Sequence, residues 1–257
     1  MGEEVVKEFY DPIHGFIGLT STELKVVDHP LFQRLRHIRQ LGNVYLVYPR
    51  ADHTRFSHSL GVMYIIDKMA KKLELGPEHI RNLRMAALLH DIGHYPLSHC
   101  IESLMMGFDP DAHHEILGGF VINNTSLKDI LRDDGYKPEY IINIFQGKEA
   151  NPLFTALLHS ELDADRIDYL LRDSFYTGVG YGKIDLDMII RQMKVSDEGE
   201  VYVDKKAKFA IENYMIGRYH MYQAVYIHKT VMGFDLLVQM AYKEMIEQGL
   251  VYSDLSK

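Results

Sequence analysis

Residues 85–99 read MAALLHDIGHYPLSH, and this stretch decides how the rest of the chain is interpreted. An apolar run typical of a buried helix leads into His90 and Asp91, and a glycine, a proline and two further histidines, His94 and His99, follow. A single His-Asp pair is common by chance, but polar side chains at the end of a buried helix need partners. A metal ion that is held jointly with a second helix would supply those partners.

The composition predicts one domain that spans residues 1–257. With 257 residues, 47% of them hydrophobic, the chain can bury a sizeable core. It exceeds the usual domain size of ~100–150 residues only moderately. The 36 acidic and 28 basic residues give a net charge of -8, which provides no overall attraction for nucleic acid or for an anionic membrane surface. Nucleic acid is therefore not an expected partner.

Cysteine usage and hydropathy predict a cytoplasmic protein. The single cysteine, Cys100, cannot form an internal disulfide, and residues 1–4 lack the basic and apolar segments of a secretory signal. No apolar run approaches the ~18 residues that a membrane-spanning helix requires. We therefore expect no membrane segment.

Hydrophobic periodicity predicts a mostly α fold with two small β-hairpins. Between residues 54 and 73, apolar residues recur every three or four positions, which is typical of a helix that faces a core, and His58 lies inside this helix. Residues 9–19 and 195–203 predict the hairpins, and residues 126–135 predict a turn-rich connection. Further helices are predicted at residues 30–41, 77–89, 111–122, 138–145, 160–175 and 207–248.

Several motifs resemble those of one enzyme family. They are DPIHG at residues 11–15, FQRLR at 32–36, HTRFSHSLGV at 53–62, HDIGHYPLSH at 90–99 and DADRIDY at 163–169. In this order they resemble the HD-domain deoxynucleoside triphosphate triphosphohydrolases, including members that also carry a sterile-α-motif domain. The likeness extends over most of the chain and implies an HD-domain helical fold.

The resemblance implies four metal ligands: His58, His90, Asp91 and Asp165. Two imidazole nitrogens and two carboxylate oxygens suit one divalent transition metal ion (Fe, Mn, Ni, Co or Zn) better than an all-oxygen magnesium site. Mg²⁺ is expected only in company with the nucleotide phosphates. Four protein ligands leave two positions of a six-coordinate ion for substrate and water, which is a hydrolase arrangement.

The resemblance also implies phosphate contacts. Arg55 lies one helical turn before His58, so its guanidinium would hold the triphosphate beside the ion. Arg166 and Arg218 match further phosphate contacts of the family, although each taken alone is also consistent with an ordinary surface arginine. His94 would line the phosphate channel together with His99.

A proton donor for the departing 5′ oxygen must titrate near neutrality, and histidine does so. His99, with Glu102 one turn later, is one candidate. His114, which would stand opposite and is followed by Glu115, is the other. The sequence leaves both candidates open.

Selection of the sugar maps to two groups of residues. Gln40 and Leu41 would lie on one side of the deoxyribose, with Tyr169 and Asp173 on the other. An amide and a carboxylate suit the 3′ hydroxyl, and an aromatic face would exclude a ribose hydroxyl. Tyr226 would border the base. Ordinary core packing is the alternative explanation for both tyrosines.

The most consistent function is metal-dependent hydrolysis of a deoxynucleoside triphosphate to deoxynucleoside and inorganic triphosphate. The alternatives are a phosphohydrolase of another nucleotide, either a monophosphate phosphatase or a phosphodiesterase, and a nucleotide-binding regulator with vestigial catalysis. The resemblance implies a homo-oligomer as well. It also implies that the chain lacks a carboxyl-terminal lobe found in relatives.

Asp28, Gln33 and Arg36 match positions at which the animal member of the family binds a regulatory guanine nucleotide. The same residues are also consistent with a purely structural role, because Asp28 is a suitable N-cap for a helix that starts at Pro30. Ion pairing between helices would account for the others. Both interpretations remain open from the sequence.

Overall fold

The computed structural model describes residues 4–149 and 151–251. In this part of the chain, β1 (Lys7–Asp11) pairs with β2 (Gly15–Leu19), and β3 (Met193–Val195) pairs with β4 (Val201–Val203), both antiparallel. The helices are α1 (Ser21–Asp28), α2 (Pro30–Gln33), α3 (Arg55–Lys72), α4 (Pro77–Leu89), α5 (His99–Met105), α6 (His114–Asn123), α7 (Leu127–Asp133), α8 (Pro138–Phe145), α9 (Pro152–Leu158), α10 (Ala164–Thr177), α11 (Leu186–Arg191), α12 (Lys208–Met221) and α13 (Lys229–Glu247). The predicted mostly α fold with two small hairpins is confirmed. No helix among the described residues combines the length and the hydrophobicity needed to cross a bilayer.

The centre of the fold is α3, which packs against α4 on one side and α10 on the other. Its buried face carries the apolar residues of the predicted periodicity, such as Met63, Ile66 and Met69. α4 begins at Pro77, which suits the first turn of a helix because proline has no N–H to leave unpaired. These three helices bring the predicted metal ligands to one place, because each ligand lies on or directly beside one of them.

Gly61 allows α3 and α10 to approach closely. A Cβ at this position would lie 1.9 Å from Oδ1 of Asp168 and 2.4 Å from Nη2 of Arg172, both on α10. Such distances are far inside van der Waals contact, so only glycine fits here. The close approach places a buried carboxylate directly beside the helix that carries His58.

The prediction of one helix over residues 30–41 is wrong. α1 and α2 are separated at His29, whose side chain caps α2, and Asp28 is the last residue of α1 rather than an N-cap. After α2 the chain forms a 3₁₀ helix, Arg34–His37, and then pairs with residues 53–55 through backbone hydrogen bonds. This long-range pairing replaces the hydrogen bonds that would have continued the helix.

Three other segments differ from the prediction. Residues 126–135 contain α7 instead of a turn, because Leu127 and Leu131 lie one turn apart and are both buried. The predicted helix over residues 207–248 is divided into α12 and α13 by a π-helical turn, Tyr222–Tyr226. The sequence analysis did not predict α5, α9 and α11, which are only six or seven residues long.

Candidate metal centre and adjoining cavity

The four predicted metal ligands converge at the centre of the fold. Nε2 of His58 lies 2.9 Å from Oδ1 of Asp165 and 3.8 Å from Oδ2 of Asp91. Nε2 of His90 lies 3.4 Å from Oδ1 of Asp91 and 3.8 Å from Oδ1 of Asp165. α3 contributes His58, the end of α4 contributes His90 and Asp91, and the first turn of α10 contributes Asp165.

Both imidazoles are oriented with Nε2 towards the shared centre. Nδ1 of His58 donates to Oδ2 of Asp168 at 2.8 Å, and Nδ1 of His90 donates to the carbonyl oxygen of Ala87 at 2.7 Å. Both Nε2 atoms are buried. That of His90 has no hydrogen-bond partner within the described part of the chain, and that of His58 faces the carboxylate of Asp165. Ligating histidines are usually held in this way through the opposite ring nitrogen. The donor set and these two nitrogens therefore fit a divalent transition metal ion, and His58, His90 and Asp91 form a group with metal-ligand spacing.

Asp168 orients His58 of this centre through a hydrogen bond, and this role of Asp168 was not predicted from the sequence. Its carboxylate accepts from His58, from Nε2 of His14 at 2.6 Å, and from Nε and Nη2 of Arg172. Arg172 also donates to Oδ2 of Asp11 at 2.7 Å. Burial would raise the pKa of Asp168, but Arg172 and the two histidines hold this pKa well below its usual value. The first hairpin is thereby connected to the metal centre.

The protonation of His58 reflects the same surroundings. Burial alone would lower its pKa, but hydrogen bonds to Asp165 and Asp168 outweigh burial and raise the pKa of His58 to about 10. A cation between these carboxylates is therefore strongly favoured, either as a proton or as a metal ion. A metal ion must displace that proton to bind, so metal affinity is coupled to pH.

A second histidine cluster adjoins the metal centre and is organised by Glu102. One carboxylate oxygen of Glu102 accepts from Nδ1 of His99 at 2.7 Å, and the other accepts from Nδ1 of His114 at 2.6 Å. The ring of His114 stacks on that of His94, with centroids 3.9 Å apart. Nε2 of His94 lies 3.1 Å from Oδ1 of Asp91, so the two clusters are in contact.

The charges of this cluster follow from burial and from the shared carboxylate. Burial would raise the pKa of Glu102, but the hydrogen bonds from His114 and His99 lower it far more. Burial also lowers the pKa of His114, against the opposing effect of Glu102. The side chain of His99 is 69% exposed, in contrast to that of His114, which is 13% exposed.

The structure pairs His114 with Glu102 and not with Glu115, the residue considered in the sequence analysis. The Glu115 carboxylate points elsewhere, 3.7 Å from Nδ1 of His159 and 3.8 Å from Nδ1 of His113. Burial, together with the charges of Asp165 and Glu102, raises the pKa of Glu115 to about 7. Glu115 therefore lies beside the site without direct contact to the predicted proton donors.

A strained turn leads into His99. Leu97 and Ser98 both have positive φ angles, 64° and 50°, which are unfavourable for residues with a Cβ. The Ser98 hydroxyl accepts from Nε of Arg55 at 2.8 Å and donates to the carbonyl oxygen of Arg39 at 3.1 Å. Nη1 of Arg55 donates to Oδ2 of Asp91 at 2.7 Å. Arg55 thus joins a metal ligand to the turn that presents His99.

A cavity of about 320 Å³ opens beside Arg55 and His99. The four residues predicted to select the sugar line this cavity, and they are Gln40, Leu41, Tyr169 and Asp173. Tyr226, predicted to border the base, lines it as well, and its hydroxyl donates to Oδ2 of Asp173 at 2.8 Å. Oε1 of Gln40 is buried without a hydrogen-bond partner within residues 4–149 and 151–251.

Arg166 and Arg218 lie together but are engaged with Glu161. Nη1 of Arg166 lies 2.6 Å from Oε2 of Glu161, and Nη1 of Arg218 donates to the same oxygen. Glu161 is largely exposed, whereas both arginines are partly buried. The two guanidinium groups form a cationic pair whose carboxylate partner is free to move into solvent.

The predicted activator residues have structural partners. Nε of Arg36 donates to Oε1 of Gln33 at 2.7 Å, and the Arg36 guanidinium lies 3.5 Å from the centroid of the Phe56 ring. Nε2 of Gln33 donates to the carbonyl oxygen of Val27. Asp28 is exposed. Binding of a regulatory nucleotide at these residues stays a prediction.

Comparison with known proteins identifies the fold. Residues 55–172 match the HD domain, and residues 184–256 match the HD associated region. The chain belongs to the HD-domain family. The metal ligands His58, His90, Asp91 and Asp165 all lie within the HD domain, whereas Arg218 and Tyr226 lie in the associated region. The resemblance stated from the motifs is confirmed.

Proteins similar to this HD-domain protein come from distantly related organisms. An uncharacterised protein of Methanocaldococcus jannaschii is 41% identical to this chain. The matched region includes 98% of this chain and 52% of the Methanocaldococcus jannaschii protein. A Dictyostelium discoideum protein named as a deoxynucleoside triphosphate triphosphohydrolase SAMHD1 homologue is 30% identical over 95% of this chain and 50% of its own length. A solved phosphohydrolase from Bacteroides thetaiotaomicron superimposes with a TM-score of 0.83 at 34% identity, over 95% of this chain and 60% of that one. The chain thus spans about half the length of the curated relatives.

Proposed function

We propose that this HD-domain protein hydrolyses deoxynucleoside triphosphates to deoxynucleoside and inorganic triphosphate. The observation that carries the proposal is the cavity, which places Gln40, Leu41, Tyr169 and Asp173 next to Arg55 and His99. A sugar in the outer part of this cavity would put its 5′ oxygen near His99 and its phosphates near the metal ligands. The relatives from Dictyostelium discoideum, Danio rerio and Bos taurus that are named as SAMHD1 deoxynucleoside triphosphate triphosphohydrolases or a homologue support the same substrate class.

His58, His90, Asp91 and Asp165 would hold one divalent transition metal ion (Fe, Mn, Ni, Co or Zn). When bound, the ion supplies Lewis-acid stabilisation of charge on the phosphate. Nε2 of both histidines and the two carboxylates are the donors, and Asp168 keeps His58 in the required orientation. Magnesium would accompany the nucleotide phosphates, as the oxygen ligands that it prefers are those of the triphosphate.

His99 is the better placed of the two proton donors. It lines the cavity, and Glu102 holds its Nδ1, so Nε2 is the nitrogen available to the substrate. In the proposed reaction, water attacks the α-phosphorus, the bond between phosphorus and the 5′ oxygen breaks, and Nε2 of His99 protonates that oxygen. Burial lowers the pKa of His114, so this side chain would remain neutral. It would contact the phosphates.

The cationic residues would position the triphosphate. Arg55 is fixed by Asp91 and Ser98, so its guanidinium faces the cavity at a defined angle. Arg166 and Arg218 would bind the distal phosphates after Glu161 moves into solvent, because a phosphate group outcompetes one exposed carboxylate for two guanidinium groups.

The lining of the cavity would exclude ribose. Tyr169 is close to Tyr226, with ring centroids 5.9 Å apart, and the Tyr226 hydroxyl is held by Asp173. These two rings would crowd a 2′ hydroxyl, while Asp173 and Gln40 would provide acceptors for the 3′ hydroxyl.

A nucleotide panel tests the proposal. Metal-loaded protein is incubated with ribo- and deoxynucleoside mono-, di- and triphosphates and with cyclic nucleotides, and the products are resolved by anion exchange. Inorganic triphosphate from deoxy substrates alone would support the proposal. Orthophosphate or nucleoside monophosphate as the product would replace it with the monophosphate phosphatase or phosphodiesterase activity. Tight binding without turnover would indicate a regulator.

We also propose that the whole of residues 1–257 acts as one domain that assembles into a homo-oligomer. The support is a group of apolar residues on one stretch of α13, where Leu236, Leu237 and Met240 are each more than half exposed. Contiguous exposed apolar surface commonly marks a protein interface. Light scattering coupled to size exclusion would measure the assembly, and a monomer at micromolar concentration would contradict it.

A further inference from the structure

We infer that His53 is a positioning residue that joins the two walls of the sugar end of the cavity and thereby sets discrimination between deoxyribose and ribose. The inference rests on the proposed function, because it assigns the sugar to the space between Gln40 and Asp173. His53 precedes the metal-binding helix α3 by two residues, and its side chain has no exposed surface. It therefore acts through its neighbours rather than by touching the substrate.

The His53 side chain holds one wall. Its Nε2 donates to Oδ1 of Asp173 at 2.7 Å, while the Tyr226 hydroxyl donates to Oδ2 of the same carboxylate at 2.8 Å. With one donor on each oxygen, the carboxylate of Asp173 cannot rotate freely about its χ2 angle. Each oxygen still has a lone pair that can accept from a sugar hydroxyl.

The His53 backbone holds the other wall. Its carbonyl oxygen accepts from the backbone N–H of Gln40 at 2.9 Å, next to the bridge between Arg39 and Thr54. One residue thus bonds to Gln40 through its main chain and to Asp173 through its side chain. The distance between the two sugar-binding walls is consequently fixed by the geometry of a single residue.

The ring of His53 is itself fixed from behind. It stacks on Tyr176 of α10, with centroids 4.7 Å apart and an angle of 23° between the rings. Tyr176 lies three residues after Asp173 on the same helix, so stacking and hydrogen bonding fix His53 to one rigid element. Loss of the hydrogen bond alone would free the Asp173 carboxylate, whereas loss of the stack alone would mainly reduce packing.

Substitutions at His53 and Tyr176 separate these two roles. His53→Leu fills similar space without a donor, His53→Gln restores an N–H at similar reach, and Tyr176→Ala removes the stack but leaves the hydrogen bond. For each variant, kcat and KM are measured with matched deoxy- and ribonucleoside triphosphates. Affinities for the corresponding nucleosides, which have the sugar but no bond to hydrolyse, are measured by calorimetry. Metal content and Tm are recorded for all proteins.

We expect His53→Leu to lower the preference for deoxy over ribo ligands about tenfold, chiefly through KM and nucleoside affinity, with one metal ion per chain retained. His53→Gln should recover most of the preference. Tyr176→Ala should lower Tm by a similar amount to His53→Leu and leave the preference unchanged. In an Asp173→Asn background, His53→Leu should cause no further loss, because it acts through that carboxylate.

Several results would overturn the inference. One is an unchanged preference for deoxy over ribo ligands in His53→Leu. Another is a loss of this preference in Tyr176→Ala as large as that in His53→Leu. The third is equal affinity of the wild type for deoxy- and ribonucleosides. If His53→Leu does not fold, His53→Asn takes its place in the comparison with His53→Gln. The side chain of asparagine is one methylene shorter than that of glutamine, so its amide lies farther from Asp173. A wild type that discriminates between nucleosides but releases no triphosphate would refute the proposed function, while the nucleoside affinities of the variants would still decide the role of His53.

Discussion

The two histidine clusters of the site are supported by different kinds of structure. The metal ligands lie on or beside three long, packed helices, and Asp168 with Arg172 fixes them from behind. In the second cluster, His94 instead lies in the connection before a strained turn, and His99, Glu102 and His114 lie in the first turns of two shorter helices. A metal ion requires donors at fixed distances, whereas a proton donor must approach a substrate that comes and goes. The difference in scaffold matches this difference in task.

The same comparison applies to burial. His58, His90 and Asp91 are almost completely buried, but His99 is mostly exposed. Buried donors lose little entropy when an ion binds, and an exposed imidazole that lines the cavity is accessible to a substrate. Substitutions in the first cluster should therefore change metal content, and substitutions in the second should change turnover at constant metal content.

The largest effect is expected for Asp165→Ala. This change removes one of four ligands and the carboxylate that lies 2.9 Å from Nε2 of His58. We expect loss of bound metal and of turnover to the detection limit, measured by elemental analysis and by triphosphate release. His114→Ala, as the matched control from the second cluster, should retain the metal. An empty centre in His114→Ala would refute the division between the clusters.

The next effect concerns His99. Replacing it with glutamine keeps a polar side chain but removes the proton donor, so kcat should fall by about 10²–10⁴-fold with the metal ion retained. His114→Gln should reduce kcat less and should raise KM, because His114 is assigned to phosphate contact. Steady-state kinetics at several pH values measures both. The reverse order of kcat losses would make His114 the proton donor.

A smaller effect is expected for Asp168→Asn, which tests the support behind the metal centre. The amide keeps the shape of the carboxylate but is a poorer acceptor for His58 and a poor partner for Arg172. Metal affinity should fall about 10–100-fold, as measured by competition with a chelator. Asp187→Asn, which alters an exposed ion pair with Lys68, is the control and should leave affinity unchanged. Unchanged affinity in Asp168→Asn would show that the ligands are positioned without it.

The smallest effect is expected for Ser98→Ala in the strained turn. It removes the acceptor of Nε of the buried Arg55 and should cost about 1–3 kcal/mol of stability. We expect kcat to fall about tenfold because His99 is held less firmly, while metal content stays constant. Thermal denaturation and single-turnover rates measure the two effects. A loss of metal instead would mean that Arg55 acts mainly on Asp91.

The sequence predicted the long elements, and it singled out four candidate metal ligands that the fold brings together. The apolar spacing of residues 54–73 and the proline that starts α4 predicted both helices, because such signals are local. The motifs around His58, His90, Asp91 and Asp165 were informative because each one joins ligand residues to helical periodicity. Short helices such as α5 and α7 were less predictable, since packing rather than propensity stabilises them.

Only the tertiary structure decided which carboxylate serves which histidine. Glu115 follows His114 directly in the chain, yet Glu102, twelve residues earlier, accepts the hydrogen bond from Nδ1 of His114. Asp168 accepts from His58 across 110 residues, and His53, whose carbonyl accepts from Gln40, donates to Asp173 across 120 residues. A hydrogen bond depends on the positions of two atoms in space, and sequence patterns report only the direction of a side chain from its own element. The candidate ligand set could therefore be proposed from the chain alone, whereas the network that orients its side chains depended on how α3, α4 and α10 pack.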